Sequence, residues 1–303
     1  MAWTIDDMDQ QTGKTVVITG AHQGYGYYAS LAFAEKGANV VLAVPDLSRG
    51  RSVQEKITTI IPDAKLELMY LDLQDLSSIK SFVKEYKDNY KTLSILILNE
   101  TIQSPQFEKT KEGFESQFGV NYLGHFALTG LLLDLLKVTP NSRVISIGND
   151  IPKKTKLAFG HFKGSNKYNR DKFYIQSKLA NMLFAKHLDE KFKQYNIQSL
   201  SICCKPLMSS KTEDSKRSMS RLAKLKSKGK DLKIDKKKGV LPILYAASYR
   251  GFSGGEYISL SKKSKNKLET PAESSSFIYM YDENVAHNLW QLSEKLCGVT
   301  YKF

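Results

Sequence analysis

Seven apolar runs rich in β-branched residues, regularly separated by helical patterns, constrain this chain more than any other feature of its sequence. The runs lie near residues 14–19, 39–44, 65–71, 93–99, 142–148, 197–204 and 255–259. Helical patterns cover 24–36, 78–89, 121–136, 173–194 and 284–296, and helices are expected in the remaining gaps. Strands alternating with helices read as βαβ units, and a succession of such units builds a parallel sheet. The expected fold is therefore α/β, a doubly wound parallel sheet of about seven strands flanked by helices. The 303 residues, with 41% hydrophobic content, suffice for one large core, so 13–303 reads as a single domain behind an N-terminal extension over 1–12.

Several classes are excluded early. No run of 18 apolar residues exists, and the richest stretch, 128–136, is interrupted by Gly130 and Asp134, so no transmembrane span is expected. The first eleven residues carry Asp6, Asp7 and Asp9 and no basic residue, the opposite of a secretory or transit leader. The default compartment is cytoplasmic, although a mitochondrial protein with internal targeting would look the same. Cys203 and Cys204 are adjacent and Cys297 is distant, which makes neither a disulfide framework nor a metal pair. The five histidines show no ligand spacing, and no metal site is expected.

The first strand runs into Thr19-Gly20-Ala21-His22-Gln23-Gly24-Tyr25-Gly26, a glycine-rich turn that opens a helix. Glycines there permit a tight turn and close approach of a pyrophosphate, whose charge meets the N–H groups of the helix N-terminus. Asp72 follows the third strand, where a carboxylate can accept from an adenine amine, and Asn121 opens the long helix over 121–136. Tyr174 and Lys178, four residues apart at the start of a helix, project from one face. A cation so placed would lower the phenol's pKa and favour proton transfer near neutral pH.

Taken together, Thr19 to Gly26, Asp72-Leu73, Asn121-Tyr122-Leu123-Gly124-His125-Phe126 and Tyr174-x-x-x-Lys178-Leu179-Ala180-Asn181 resemble the short-chain dehydrogenase/reductase family in order and spacing. The resemblance runs from about residue 13 to the C-terminus and is nearest to the branch of retinol-dehydrogenase-like and bacterial oxidoreductases. It implies a Rossmann-type fold and NAD or NADP as cofactor. It also implies hydride transfer between nicotinamide and a small carbonyl or alcohol substrate. By position, Tyr174 would be the acid/base, Lys178 would bind the nicotinamide ribose, and Asn121 would hold a relay water. Gly20, Gln23, Gly24, Tyr25, Gly26, Asp46, Asp72, Leu73, Asn99, Lys178 and Pro206 would line the cofactor.

The chain departs from the family at several of these points. The catalytic serine expected at the end of the fifth strand falls on Asn149, and Ser146, three residues earlier on a strand, points to the opposite face. An amide could still donate to a carbonyl, but loss of a well-placed hydroxyl costs on the order of 10² to 10³ in rate. The family's Asn-Ala-Gly becomes Asn99-Glu100-Thr101, placing a carboxylate near phosphates it would repel. Tyr25 replaces a small residue in the turn, and Leu207 replaces the glycine after Pro206. Pro45 replaces the arginine that commonly meets a 2′-phosphate, while Asp46 lies two positions beyond the usual ribose-binding acid, so NAD versus NADP stays open.

Charge is concentrated as well. Residues 152–172, 211–238 and 261–268 carry net +6, +8 and +4, leaving the other 246 residues at −4 of the total +14. In this fold those segments follow strands five, six and seven and would ring the site's mouth. The segment 211–238 stands as a basic, lid-like insertion. Such a mouth reads as a solvated Lys-rich surface, or it suits an acidic protein partner, an anionic lipid surface or an anionic small substrate; nucleic acid fits least, because no aromatics are interleaved. Two readings result. One is an accessory or interaction subunit with impaired chemistry, with nucleotide either bound or absent; the other is an active NAD(P)-dependent oxidoreductase with Tyr174 as acid/base.

Overall fold

The computed structural model describes residues 3–152, 154–164, 168–204, 239–262, 269–274, 277 and 281–302. Its eight strands are β1 (Thr15–Thr19), β2 (Asn39–Val44), β3 (Lys65–Tyr70), β4 (Ile95–Leu98), β5 (Arg143–Ile147), β6 (Gln198–Cys203), β7 (Tyr257–Lys262) and β8 (Glu269–Glu273). They form one sheet in the order β3-β2-β1-β4-β5-β6-β7-β8. All pairings from β3 to β7 are parallel, and β8 closes the edge antiparallel to β7. This is a Rossmann-type α/β fold in which the strand order reverses between β1 and β4. Such a reversal opens a crevice at the carboxyl ends of the two strands, where ligands bind.

The eighth strand exceeds the expected seven. Its sequence, Glu-Thr-Pro-Ala-Glu, has no apolar alternation and includes Pro271, which a strand tolerates at a sheet edge.

Among the described residues the helices are α1 (Gly24–Glu35), α2 (Leu47–Ile60), α3 (Leu76–Asn89), α4 (Ser116–Phe118), α5 (His125–Leu131), α6 (Leu133–Val138), α7 (Arg170–Phe192), α8 (Leu241–Ser248) and α9 (Glu283–Cys297). None is long and apolar enough to cross a membrane. The single helix expected over 121–136 is instead α4, a π-turn over Gly119–Gly124, α5 and α6. Asn121 therefore sits inside the π-turn rather than opening a helix. The chain enters early because the buried Glu115 carboxylate accepts from the N–H groups of Gln117 and Phe118, nucleating a turn ahead of the apolar pattern.

Alternation along the strands divides the core in two. Val17, Val41, Ala43, Leu96, Leu98 and Val144 face α3, α5, α7 and α9. Val16, Ile18, Val40, Leu42, Ile97, Ile145 and Ile202 face α1, α2 and α8. At the centre of the first layer, the fully buried Phe126 meets Trp290 at 5.2 Å and Tyr301 at 4.9 Å between ring centroids. The Tyr301 hydroxyl donates to the Phe126 carbonyl, so α9 and the tail seal the helices that carry the site. Phe126→Ala should destabilise the chain by about 3–5 kcal/mol, read as a lower midpoint in denaturant. An unchanged midpoint would show that this cluster does not hold α9.

Candidate active site

The turn after β1 is shaped by its glycines. Gly20 and Gly24 hold φ of 65° and 57°, a region open to glycine. A Cβ on Gly26 would collide with the Gly20 carbonyl and stand 2.8 Å from Asn99 Nδ2, so α1 can start tight against the strand only without a side chain there. Thr19 Oγ1 accepts from the N–H groups of Asn99 and Glu100 at 2.8 and 2.9 Å, while Asn99 Nδ2 donates to the Thr19 carbonyl at 2.8 Å. Thr19 also lies 2.8 Å from His125 Nε2, and His125 Nδ1 lies 3.0 Å from the Asn121 carbonyl. Burial pushes this imidazole down to about 4 and keeps it neutral. Nδ1 then donates to the carbonyl and Nε2 accepts from the Thr19 hydroxyl, joining the glycine turn to the π-turn.

The proton-transfer candidates converge across the crevice. Asn121 Oδ1 accepts from the Ile102 N–H at 2.8 Å, and its Nδ2 donates to the Ile102 carbonyl and to Ser177 Oγ, both at 3.0 Å. Lys178, 1% exposed, donates to Thr101 Oγ1 at 2.8 Å and to the Ile147 carbonyl at 3.2 Å. Its Nζ stands 5.5 Å from the centre of the Tyr174 ring. Gln176, two residues after Tyr174 on α7, accepts from the Ala158 N–H and donates to the Lys156 carbonyl, pinning the loop after β5 beside the site. A π-turn inside a helix recurs at functional sites because it re-aims side chains by a fraction of a turn. Here it aims Asn121 at Ser177 on α7.

Electrostatics differ from the expectation. The phenol of Tyr174 is not lowered but pushed up to about 12, first by burial and then by Cys203 and Cys204. Burial also brings Lys178 down to about 7, so the cation that was to lower the phenol is itself only partly charged near neutral pH. Desolvation disfavours the charged form of both groups and is the largest cause of each shift.

Asn149 lies at the end of β5. Its Oδ1 accepts from the Asp150 N–H at 2.9 Å, with Cys203 Sγ at 3.9 Å. Anchoring the oxygen leaves the amide N–H groups as the donor this position can offer. Ser146, fully buried in the sheet opposite Ser201, is separate from it, as the strand alternation requires.

At the far end of the crevice, Asp46 Oδ1 caps α2 through the N–H groups of Ser48 and Arg49, and Asp72 Oδ1 accepts from the Gln74 N–H. Leu73 is buried. Arg49 donates to Gln23 Oε1 at 2.7 Å, tying α2 to the glycine turn. Sequence reasoning missed Arg49, four residues past Pro45, and also missed the hydroxyls of Thr101 and Ser177; no spacing marks them. The Tyr25 ring packs against Gly239, and its phenol is raised by burial and then by Cys204 and Cys203. Glu100 stands over Gly20, its Cα 3.0 Å from where a Cβ on that glycine would be. Pro206, Leu207 and the segment 211–238 lie outside the described residues, as do parts of the other two basic segments.

A sequence profile described as short chain dehydrogenase matches residues 14–220. Over 193 residues the chain is 36% identical to retinol dehydrogenase 11 and 35% identical to retinol dehydrogenase 12, both of Homo sapiens. Each match covers 64% of this chain and 61% of the relative, less than two thirds of the relatives' own length. A crystal structure of a protein from Mycobacterium Paratuberculosis superposes with a TM-score of 0.78 at 28% identity over 100% of both chains. A short chain dehydrogenase from Shigella flexneri 2a, complexed with NADP, superposes with a TM-score of 0.64 at 16% identity, covering 84% of this chain and 99% of that one, a likeness of fold.

Proposed function

The chain belongs to the short-chain dehydrogenase family, and from that premise we propose that it is an NAD(P)-dependent oxidoreductase interconverting a carbonyl and an alcohol, slowed by an amide at its hydroxyl position. One observation carries this reading: Asn121, distant in sequence from Tyr174 and Lys178, is brought to α7 through Ser177, while Lys178 reaches the carbonyl of Ile147, two residues before Asn149, at the carboxyl end of β5. The retinol dehydrogenases among its relatives support an apolar alcohol or aldehyde as substrate.

The glycine turn suits a dinucleotide at its backbone. Gly20 and Gly24 hold the positive φ the turn needs and Gly26 lets α1 start tight against β1, so the turn aims the N–H groups of the α1 N-terminus at phosphates, and Lys178 is the residue to hold the nicotinamide ribose. When bound, the nicotinamide supplies or takes the hydride. Tyr174 gives a proton to the carbonyl oxygen in reduction and takes it back in oxidation. Lys178, when charged, favours the ionised phenol. Asn121 fixes the chain at Ile102 and braces Ser177, whose hydroxyl donates to the Tyr174 carbonyl at 2.8 Å. The Asn149 amide donates to the carbonyl being reduced.

The accessory-subunit reading retains one specific support, the placement of Glu100 and Tyr25 in the nucleotide cleft. A titration separates the two. Saturable binding of NADPH or NADH, at about 100 times its Kd, adds roughly 2.7 kcal/mol, a shift of several degrees in Tm. The same preparation should then consume reduced nucleotide with an apolar aldehyde. No shift up to millimolar nucleotide would overturn the oxidoreductase and leave the accessory reading.

A further inference from the structure

Glu100 is the most unusual side chain of the cleft. Its backbone N–H is held by Thr19, which fixes the start of the side chain at the switch point between β1 and β4. From there the carboxyl reaches over Gly20, and Oε2 occupies the space a Cβ on that glycine would need. Oε2 is buried and has no hydrogen-bond partner among the described residues. A carboxylate with one oxygen buried and lacking a donor is poorly tolerated, and the neutral acid is tolerated better. The side chain therefore lies where a pyrophosphate must approach the backbone, in a setting that favours its uncharged form.

We propose that Glu100 is a proton-operated gate on the dinucleotide cleft: as the neutral acid it admits the nucleotide's phosphates beside Gly20, and as the carboxylate it excludes them. The proposal rests on the reading of the chain as a nicotinamide-dinucleotide enzyme. Two anions a few ångströms apart in a partly desolvated cleft repel strongly, while a neutral carboxyl can donate to a phosphate oxygen.

The groups facing Glu100 favour this behaviour. From α2, the Arg49 guanidinium attracts the carboxylate, but its hydrogen bond goes to Gln23. Asp72, after β3, repels it. Asp46 caps α2, and His22 of the glycine turn has its imidazole lowered by burial and by Arg49, so it adds no fixed cation. Burial dominates, and the carboxyl is pushed up to about 7, within the range where a modest change of pH alters its charge.

The test is the equilibrium affinity of the full chain for NADPH, read by fluorescence between about pH 5.5 and about pH 8.5, for wild type, Glu100→Gln and Glu100→Ala. Thermal melts establish that each variant is folded, and the ratio of affinities cancels titration of the nucleotide itself. The gate predicts that Glu100→Gln and wild type agree within about twofold at the acidic end. At the alkaline end the variant should bind about tenfold tighter or more, as wild-type affinity falls by up to tenfold per pH unit above about 7. A ratio independent of pH overturns the gate and leaves the dinucleotide reading standing. Absence of binding by all three proteins at every pH overturns both.

Discussion

Asn149→Ser raises the rate of the chemical step by about 10² to 10³ if Asn149 stands in for a hydroxyl donor. The reason is reach. A serine Oγ is bonded directly to Cβ, whereas an asparagine Nδ2 lies one bond farther out, so the donor is displaced by roughly 1 Å or more. A misplacement of that size at a reacting centre can cost about 10²-fold. The amide cannot readily shorten its reach, because Oδ1 is tied to the Asp150 N–H at 2.9 Å with Cys203 Sγ beyond it. Serine gives up that tie and presents its hydroxyl closer to the strand. Single-turnover oxidation of NADPH with an apolar aldehyde measures the step, and Kd for NADPH should stay within about twofold. A variant no faster than the parent would remove Asn149 from the donor role and shift weight to the accessory reading.

Tyr174→Phe has the opposite sign. It removes the only atom of that side chain able to move a proton, and loss of a positioned acid or base costs about 10² to 10⁴ in rate. The ring keeps its place on α7, and no hydrogen bond to the phenol is recorded among the described residues, so folding and nucleotide affinity should hold. Turnover and NADPH titration of the same preparation distinguish a lost proton donor from a lost site. Turnover within about twofold of wild type would exclude Tyr174 as the acid/base. The pH dependence separates two groups that titrate near pH 7. Lys178, lowered by burial, loses its proton as pH rises through about 7, and this slows kcat for reduction. Glu100, raised by burial, ionises over the same range and acts on nucleotide affinity.

Glu100 also affects stability. Its folded-state pKa is raised, so its contribution is fully present below the ordinary value near 4.5 and is lost as pH rises to about 7. The loss is on the order of 3 kcal/mol, and Glu100→Gln should abolish it.

Much of this was legible in the chain. Runs such as 39–44 and 93–99 are apolar on both faces because a central parallel strand is covered by helices on each side, and a pattern of that kind has few alternatives. The pairing of Tyr174 with Lys178 needed only the helical repeat. The edge strand β8 was not legible, since an outer strand with a proline and two glutamates has no apolar signature. The π-turn at Asn121 was not legible either, because it depends on Glu115, buried by tertiary contacts, to start the helix early. Arg49 was missed because α2 alone brings it to Gln23.

The sequence by itself determined the succession of β1 to β7 with helices between them, the two-sided core and the presence of a glycine turn and a Tyr-Lys pair, all set by local periodicity and by residue types that few conformations accept. Only the tertiary structure decided the protonation of the site. Tyr174, Lys178, His125 and Glu100 are shifted chiefly by burial. Burial depends on the elements that fold over a group, and its neighbours in sequence do not record them.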